Sequence, residues 1–151
     1  MTTDVTTDTR RHLSVPADLD RLADIRTLVR EVATSCGAPE VCMDELVQAV
    51  DEAATNVAVH GYRGGPGDLD VTAELVGDRI VITLADTAPP FDPTLAPEPD
   101  VSTAPESRKP GGMGIHLMRL ATDSVTHAAR PGGGNILTLE RRLDPRPKED
   151  R

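Results

Sequence analysis

The order of apolar periodicities along the chain limits its fold more than any other feature of the sequence. Apolar residues recur every three or four positions over about 18–36 and 39–60, which predicts two consecutive amphipathic helices. Shorter stretches later in the chain alternate or run continuously apolar, which predicts strands. The predicted elements, in chain order, are a short edge strand at 12–15, helices at 18–36 and 39–60, a hairpin of strands at 70–76 and 79–85, a helix at 114–121, and a hairpin of strands at 124–130 and 135–143.

This order of elements predicts an α+β fold. Strands and helices do not alternate strictly, so a doubly wound parallel sheet fits poorly. We expect a two-layer α/β sandwich, in which a mixed, mostly antiparallel sheet carries its helices on one face. At 151 residues, the chain has about the length of one domain. We expect that domain over residues 11–143, between a flexible tail at 1–10 and another at 144–151.

The composition argues against several classes of partner and location. A net charge of -9 argues against a nucleic-acid surface, which needs clustered Lys and Arg. Tyr62 and Phe91 are the only aromatic residues, so the core must be aliphatic and base stacking has little support. Cys36 and Cys42 form no CxxC pair and are expected to act as small hydrophobes beside helices. No apolar stretch approaches a membrane span or a signal-peptide core, so we expect a cytoplasmic protein without direct nucleic-acid or membrane binding.

The second predicted helix carries two polar residues with the chemistry of a catalytic site. Glu52 and Asn56 are one helical turn apart and are therefore neighbours on one helix face. A carboxylate beside an amide oxygen offers a base and a ligand for a hard cation such as Mg²⁺. The same spacing is also typical of a solvated polar face, so the pair alone leaves both interpretations open.

Two further segments have features of a ligand site, and each also has a plain structural alternative. Asp86 ends an apolar strand, where its carboxylate either accepts a hydrogen bond from a ligand's amino group or forms a turn. The glycines of 111–114 open the third helix, where free backbone N–H groups favour a phosphate, or they form a flexible hinge. Arg108 and Lys109 precede them and either reach a terminal phosphate or are solvated. The long proline-rich stretch over 86–112 is typical of a functional loop or a disordered segment.

Together, these motifs resemble the ATPases that include gyrase, the histidine kinases and related chaperones (the Bergerat or GHKL fold). Within that group, the chain is similar to the anti-sigma-factor serine kinases of the RsbW and SpoIIAB type. The stretches that carry the resemblance are 51–62 (DEAATNVAVHGY), 86–93 (DTAPPFDP), 111–117 (GGMGIHL) and 134–143 (GNILTLERRL). The similarity extends over about residues 12–143.

The resemblance implies a role for each site residue. Asn56 would ligate a Mg²⁺ ion that bridges the ATP phosphates, and Glu52 would take the proton from an attacking serine hydroxyl. Asp86 would accept the adenine amino group, and a lid over about 93–111 would cover the phosphates. The remaining implied contacts with the nucleotide are Ala88, Arg108, Lys109, Gly112, Met113, Gly114 and Ile115.

The resemblance also implies a function and partners. Such a protein is expected to be an ATP-dependent protein serine/threonine kinase and anti-sigma factor in a partner-switching pathway. It would bind a sigma factor and phosphorylate a small anti-anti-sigma protein of the STAS type. A homodimer is a further expectation, because members of the family often dimerise.

One motif departs from the family pattern and motivates a second hypothesis. The pattern Asp-x-Gly-x-Gly becomes Asp86-Thr87-Ala88-Pro89-Pro90, so both glycines are replaced. Ala88 adds a methyl group, and Pro90 fixes φ and removes a donor. The second hypothesis is a binding module of the same fold that sequesters a sigma factor or STAS regulator without effective phosphotransfer. A third is a small-molecule ATP hydrolase or a detached histidine-kinase catalytic domain.

Overall fold

The protein is described by a computed structural model that covers residues 2–7, 9–95 and 112–143. Most of the predicted lid, with Arg108 and Lys109, and the predicted C-terminal tail lie outside these described residues and stay predictions. None of the helices in the described ranges is long and apolar enough to cross a membrane.

The described residues form six strands and three α-helices, with short helical turns between them. In chain order the elements are β1 (Thr2–Thr7), β2 (Arg10–Pro16), a 3-10 turn (Leu19–Arg21), α1 (Leu22–Ser35), α2 (Glu40–Asn56), a π-helical turn (Val57–Gly61), β3 (Asp68–Val76), β4 (Arg79–Asp86), a 3-10 turn (Pro93–Leu95), α3 (Gly112–Ala121), β5 (Ser124–Ala129) and β6 (Asn135–Arg142).

The strands form one sheet in the order β1-β2-β3-β4-β6-β5. Each pairing between described strands is antiparallel, so the parallel pairs that a mixed sheet would include do not occur among them. The predicted α+β class and antiparallel character are confirmed. The long crossover from β4 to β6 through α3 and β5 places the ends of β4 and β6 side by side, with Asp86 opposite Asn135.

The N-terminal region differs from the expectation. The segment expected as a tail over 1–10 contains β1, and β2 is an inner strand between β1 and β3, not an edge strand. The segment 1–10 is rich in Thr and Asp and carries no apolar period. Backbone pairing with β2 adds this segment to the sheet, and a segment without an apolar period gives no sequence signal of that pairing.

All three helices lie on one face of the sheet, as expected. Along β4 and β6, alternate residues are buried, and this buried face carries the helix layer. Helix α2 packs between α1 and α3 and contacts both β4 and β6. The core is aliphatic; its fully buried members include Ile25, Val32, Leu46, Val50, Val71, Ile82, Leu84, Met118 and Leu139.

The two cysteines are free and behave as predicted, as small residues beside helices. Cys42 is buried on α2, and Cys36 is half-buried just after α1. Burial raises the pKa of both thiols, which keeps them protonated at neutral pH. Near Cys42, the buried Arg141 side chain pairs with Glu45 at 2.7 Å, which joins β6 to α2.

Candidate functional site

The last two turns of α2 place Glu52 and Asn56 at the edge of the helix layer. The apolar face of α2 packs on the sheet, and its buried residues include Ala53 and Ala54. Glu52 is half-buried, whereas Asn56, the last residue of α2, is only 8% exposed. The π-helical turn Val57–Gly61 follows directly. Single π turns inside or at the end of α-helices are frequent at functional sites.

Both polar side chains lack an internal partner. Within the described ranges, neither the Glu52 carboxylate nor the Asn56 amide makes a hydrogen bond or ion pair. Neither residue has a fully buried side-chain atom without a partner, so the polar atoms of Glu52 and Asn56 reach solvent. They are therefore accessible to a ligand, although most of the Asn56 surface is covered.

The start of α3 lies against this pair. A Cβ atom at Gly114 would lie 3.3 Å from Glu52 Oε2 and 3.4 Å from Asn56 Oδ1. A side chain at position 114 would therefore press on both polar groups. The structure thus brings together three of the predicted site residues, and it places the N-terminal end of a ten-residue helix beside them.

The Glu52 carboxyl group has a raised pKa. Burial is the larger cause, and the neighbouring negative charge of Asp51 raises the pKa of Glu52 further. A carboxylate that holds a proton more tightly than usual is a stronger base, provided that it is ionised at the working pH.

Asp86 ends β4 on the buried face of the sheet and is only 4% exposed. Its Oδ1 atom accepts hydrogen bonds from the Ala88 N–H and from Nδ2 of Asn135, both at 2.9 Å. Its Oδ2 atom has no partner in the part of the chain that the structure describes. One carboxylate oxygen therefore holds the local structure, and the other remains free to accept a hydrogen bond.

A small cavity between α2 and the sheet connects the two halves of the site. Its walls include Asn56 of α2 and Asp86 of β4. The other lining residues are Ala53, Val57, Gly61, Phe91, Pro93, His127, Asn135 and Leu137. Its walls are mostly apolar with a few polar groups, as in small-molecule sites, but its volume of about 20 Å³ holds only about one water molecule, so a larger ligand requires the cavity to widen.

The Ala88 methyl group stands where the resemblance implies a glycine; it is buried and does not line this cavity. It lies 3.3 Å from the position that a Cβ atom at Gly61 would occupy. The absence of a side chain at Gly61 therefore provides the space for the methyl group. The Ala88 side chain therefore forms no wall of the cavity, and Ala88 contributes its backbone N–H to the position of Asp86.

Asn135 is a site residue that the sequence analysis missed. Its Nδ2 donates to Asp86, and its Oδ1 accepts the Phe91 N–H at 2.8 Å. The same Oδ1 lies 2.8 Å from Nε2 of His127, whose other ring nitrogen lies 3.6 Å from Asp92. Asn135 therefore holds both the acidic residue and the segment that follows it. Only the pairing of β6 with β4 brings it there, and no local pattern in the sequence indicates that pairing.

The remaining predicted contacts are placed in part. Gly112 begins α3 and Met113 follows it. The Ile115 side chain is buried in the hydrophobic core, so the predicted nucleotide contact of Ile115 is limited to its backbone. Arg108 and Lys109 lie outside the described residues.

The turn before β6 provides a stability prediction. Gly133 and Gly134 have nearly equal positive φ angles, 114° and 118°. A Cβ atom at Gly134 would collide with the Asp86 carbonyl oxygen, whereas one at Gly133 meets nothing within 4 Å. We expect Gly133→Ala to cost about 1–2 kcal/mol from backbone strain alone and Gly134→Ala about 3 kcal/mol or more. Urea unfolding of the two variants measures the difference, and equal stabilities would contradict the close approach of this turn to Asp86.

Comparison with known proteins agrees with this geometry. Residues 15–141 match the histidine kinase-like ATPase domain. The chain belongs to that family. Every described site residue lies inside the matched range.

Relatives in this family include named kinases. The chain is 27% identical over 118 residues to the serine-protein kinase RsbW of Bacillus cereus strain AH187, covering 75% of this chain and 73% of that protein. It is 30% identical over 95 residues to the serine/threonine-protein kinase BtrW of Bordetella bronchiseptica, covering 62% of this chain and 66% of that one.

The fold also matches a solved structure. The crystal structure of the RsbU and RsbW domains of a Mycobacterium tuberculosis protein aligns with 88% of this chain at a TM-score of 0.62 and 20% identity. This chain covers 32% of that longer chain. At this identity, the match shows the shared fold, which agrees with the layer of helices on one face of the sheet.

Proposed function

We propose that this protein is an ATP-dependent protein serine/threonine kinase that acts as an anti-sigma factor in a partner-switching pathway. The observation that carries the proposal is a set of polar groups without internal partners: Glu52 and Asn56 of α2 lie beside Gly114, and Asn56 lines one cavity together with Asp86 of β4. The named kinases among its relatives support the same reaction class.

The groups present fit ATP. The free oxygen of Asp86 accepts the adenine amino group, while its other oxygen is held in place by Ala88 and Asn135. The apolar residues that line the cavity would pack against the flat adenine ring once the cavity, at present about 20 Å³, widens to admit it. At the other end, the glycine at 114 and the N-terminus of α3 provide space, backbone N–H groups and a positive dipole for the phosphates.

The same end of the site fits a magnesium ion. The Asn56 amide oxygen is a hard ligand without an internal partner, and Mg²⁺ commonly takes one or two protein ligands together with substrate phosphates. When bound, the ion would neutralise charge that develops on the transferring phosphoryl group.

Glu52 performs the proton transfer in this proposal. Its carboxylate accepts the proton of an incoming serine or threonine hydroxyl as the oxygen forms a bond to the γ-phosphorus. The bond between that phosphorus and the β,γ-bridging oxygen breaks, and ADP leaves. The proton then passes from Glu52 to solvent. Because its pKa is raised, Glu52 holds the proton better than an ordinary surface carboxylate does.

The proposed protein substrate is an anti-anti-sigma factor with a STAS domain, and the alternative partner is a sigma factor. A phosphate on the STAS protein adds nearly two negative charges at the interface. This chain already carries a net charge of -9, so phosphorylation would weaken the complex through repulsion and desolvation. We place this exchange in the cytoplasm, and we propose the expected homodimer for the kinase.

The test is a transfer assay with the full chain, Mg-ATP labelled at the γ-phosphate, and each purified STAS-domain protein of the same organism in turn. We expect label on the serine or threonine of one such protein and loss of its complex with this chain after transfer. ATP binding without transfer to any STAS protein would contradict the kinase assignment.

The binding-module hypothesis has one observation in its favour, the replacement of both adenine-motif glycines by Ala88 and Pro90. It predicts partner affinity that is the same with and without ATP. Calorimetry or size-exclusion chromatography of the partner complex with and without ATP measures this affinity. An affinity that depends on ATP would exclude the binding-module hypothesis.

A further inference from the structure

Tyr62 makes an unusual set of contacts beside the candidate ATP site. Its hydroxyl donates a hydrogen bond to the Asp68 carbonyl at 2.7 Å and accepts one from the Thr87 N–H at 2.8 Å. The Thr87 hydroxyl lies 3.1 Å from the same oxygen. A phenol hydroxyl can donate only one hydrogen bond, and Tyr62 donates it to the Asp68 carbonyl. The Thr87 hydroxyl must therefore be the donor in its contact with the Tyr62 oxygen. The Tyr62 hydroxyl therefore donates one hydrogen bond and accepts two, all from neighbouring residues.

These contacts join the two ends of the site. Tyr62 directly follows the π-helical turn that extends α2 beyond Glu52 and Asn56, and its N–H bonds to the Val57 carbonyl. Thr87 directly follows Asp86 at the end of β4. The hydroxyl therefore connects the helix that carries the proposed phosphate-end residues to the strand end that carries the proposed adenine acceptor.

The ring of Tyr62 is held from its other side. A Cβ atom at Gly67 would collide with three of its ring atoms, so the glycine allows the chain to lie directly on the ring. Gly61, the residue before Tyr62, provides the space for the Ala88 methyl group. The Gly61–Tyr62 pair therefore contacts the turn after Asp86 at two positions, Thr87 and Ala88.

We propose that Tyr62 is a positioning residue for the ATP site, whose hydroxyl holds the turn after Asp86 and so orients the free Asp86 oxygen toward the base. In this turn Ala88 and Pro90 replace glycines, and side-chain hydrogen bonds restrain it from both ends. Tyr62 holds Thr87, and Asn135 holds Phe91. The proposal rests on the ATP site described above and adds a residue with no assigned role there.

The test compares Tyr62→Phe with wild type in binding Mg-ATP and the triphosphate of purine riboside, which lacks the 6-amino group. Phe keeps the ring against Gly67 and removes only the hydroxyl. We expect ATP affinity to fall about three- to tenfold, the effect of one net hydrogen bond, with little change for the analogue. The preference for ATP over the analogue should therefore decrease.

Thr87→Val is the matched control. It removes the hydroxyl contact at 3.1 Å and keeps the 2.8 Å bond from the Thr87 N–H, so it should alter ATP preference less than Tyr62→Phe does. Amide hydrogen exchange at Thr87 checks the contact itself and should accelerate in Tyr62→Phe.

The outcomes separate this inference from the proposed function. Equal loss of affinity for both nucleotides, or no loss for either, in a folded Tyr62→Phe protein would show a purely structural residue and overturn the inference alone. Absence of ATP binding by the wild-type chain would overturn the proposed function, and this inference with it.

Discussion

Glu52→Gln is expected to lower the rate of phosphate transfer to the partner protein by about 10²–10⁴-fold, the usual contribution of a positioned general base. The amide keeps the shape of the side chain beside Asn56 and Gly114 but cannot accept the hydroxyl proton. ATP affinity should change little, because the proposed contacts with adenine come from Asp86 and the cavity walls and not from Glu52. The measurement is single-turnover transfer at saturating ATP, which separates the chemical step from binding.

Asp51→Asn is the matched control for Glu52→Gln. Asp51 is the adjacent carboxylate on α2 and pairs with Arg26 at 3.6 Å. Its removal should leave transfer within a few-fold of wild type. Transfer by Glu52→Gln at the wild-type rate would exclude Glu52 as the base.

The same Glu52→Gln variant has an expected effect on stability that depends on pH. The raised pKa of Glu52 means that the folded state holds this proton more tightly than the unfolded state does. Between the unfolded and folded pKa values the folded state binds more protons, so stability is lost as pH rises through that window. Above that window, where the carboxylate is ionised in both states, Glu52→Gln should therefore unfold at a higher temperature than wild type. The difference should disappear below the unfolded pKa, and thermal melts across pH measure it.

Asp86→Asn is expected to weaken Mg-ATP binding by about 10- to 100-fold, because the change leaves a buried donor facing another donor. In wild type, Oδ1 accepts from Ala88 and Asn135 while Oδ2 faces the cavity. An amide must direct its NH₂ group either at these two donors or at the adenine amino group. Calorimetric titration with Mg-ATP measures the loss.

Asp70→Asn is the control for Asp86→Asn. Asp70 lies on the neighbouring strand β3, forms a partly buried pair with Arg130 at 3.1 Å and does not line the cavity. The affinity of Asp70→Asn for ATP should therefore equal that of wild type. Undiminished ATP binding by Asp86→Asn would show that the adenine ring binds elsewhere.

The elements that have a strong local period are predictable from the sequence. The stripe on α2 and the nearly continuous apolar run in β4 depend on residues close in the chain, so helices and strands could be assigned within a few positions. The strand β1 was missed because its Thr- and Asp-rich segment has no apolar period, and its pairing with β2 is a backbone interaction.

Some residues of the candidate site are placed by local sequence, and others are placed only by the tertiary structure. Glu52 and Asn56 are neighbours because they lie one turn apart on a helix, and Asp86 is placed by the end of its own strand; both facts are local and were predicted from the residue order. The hydrogen bond from Asn135 to Asp86 joins residues 49 positions apart, and that between Tyr62 and Thr87 spans 25. These contacts depend on which strands pair and on how α2 packs against the sheet. Such choices follow from the burial of the whole core, which no local pattern of residues specifies.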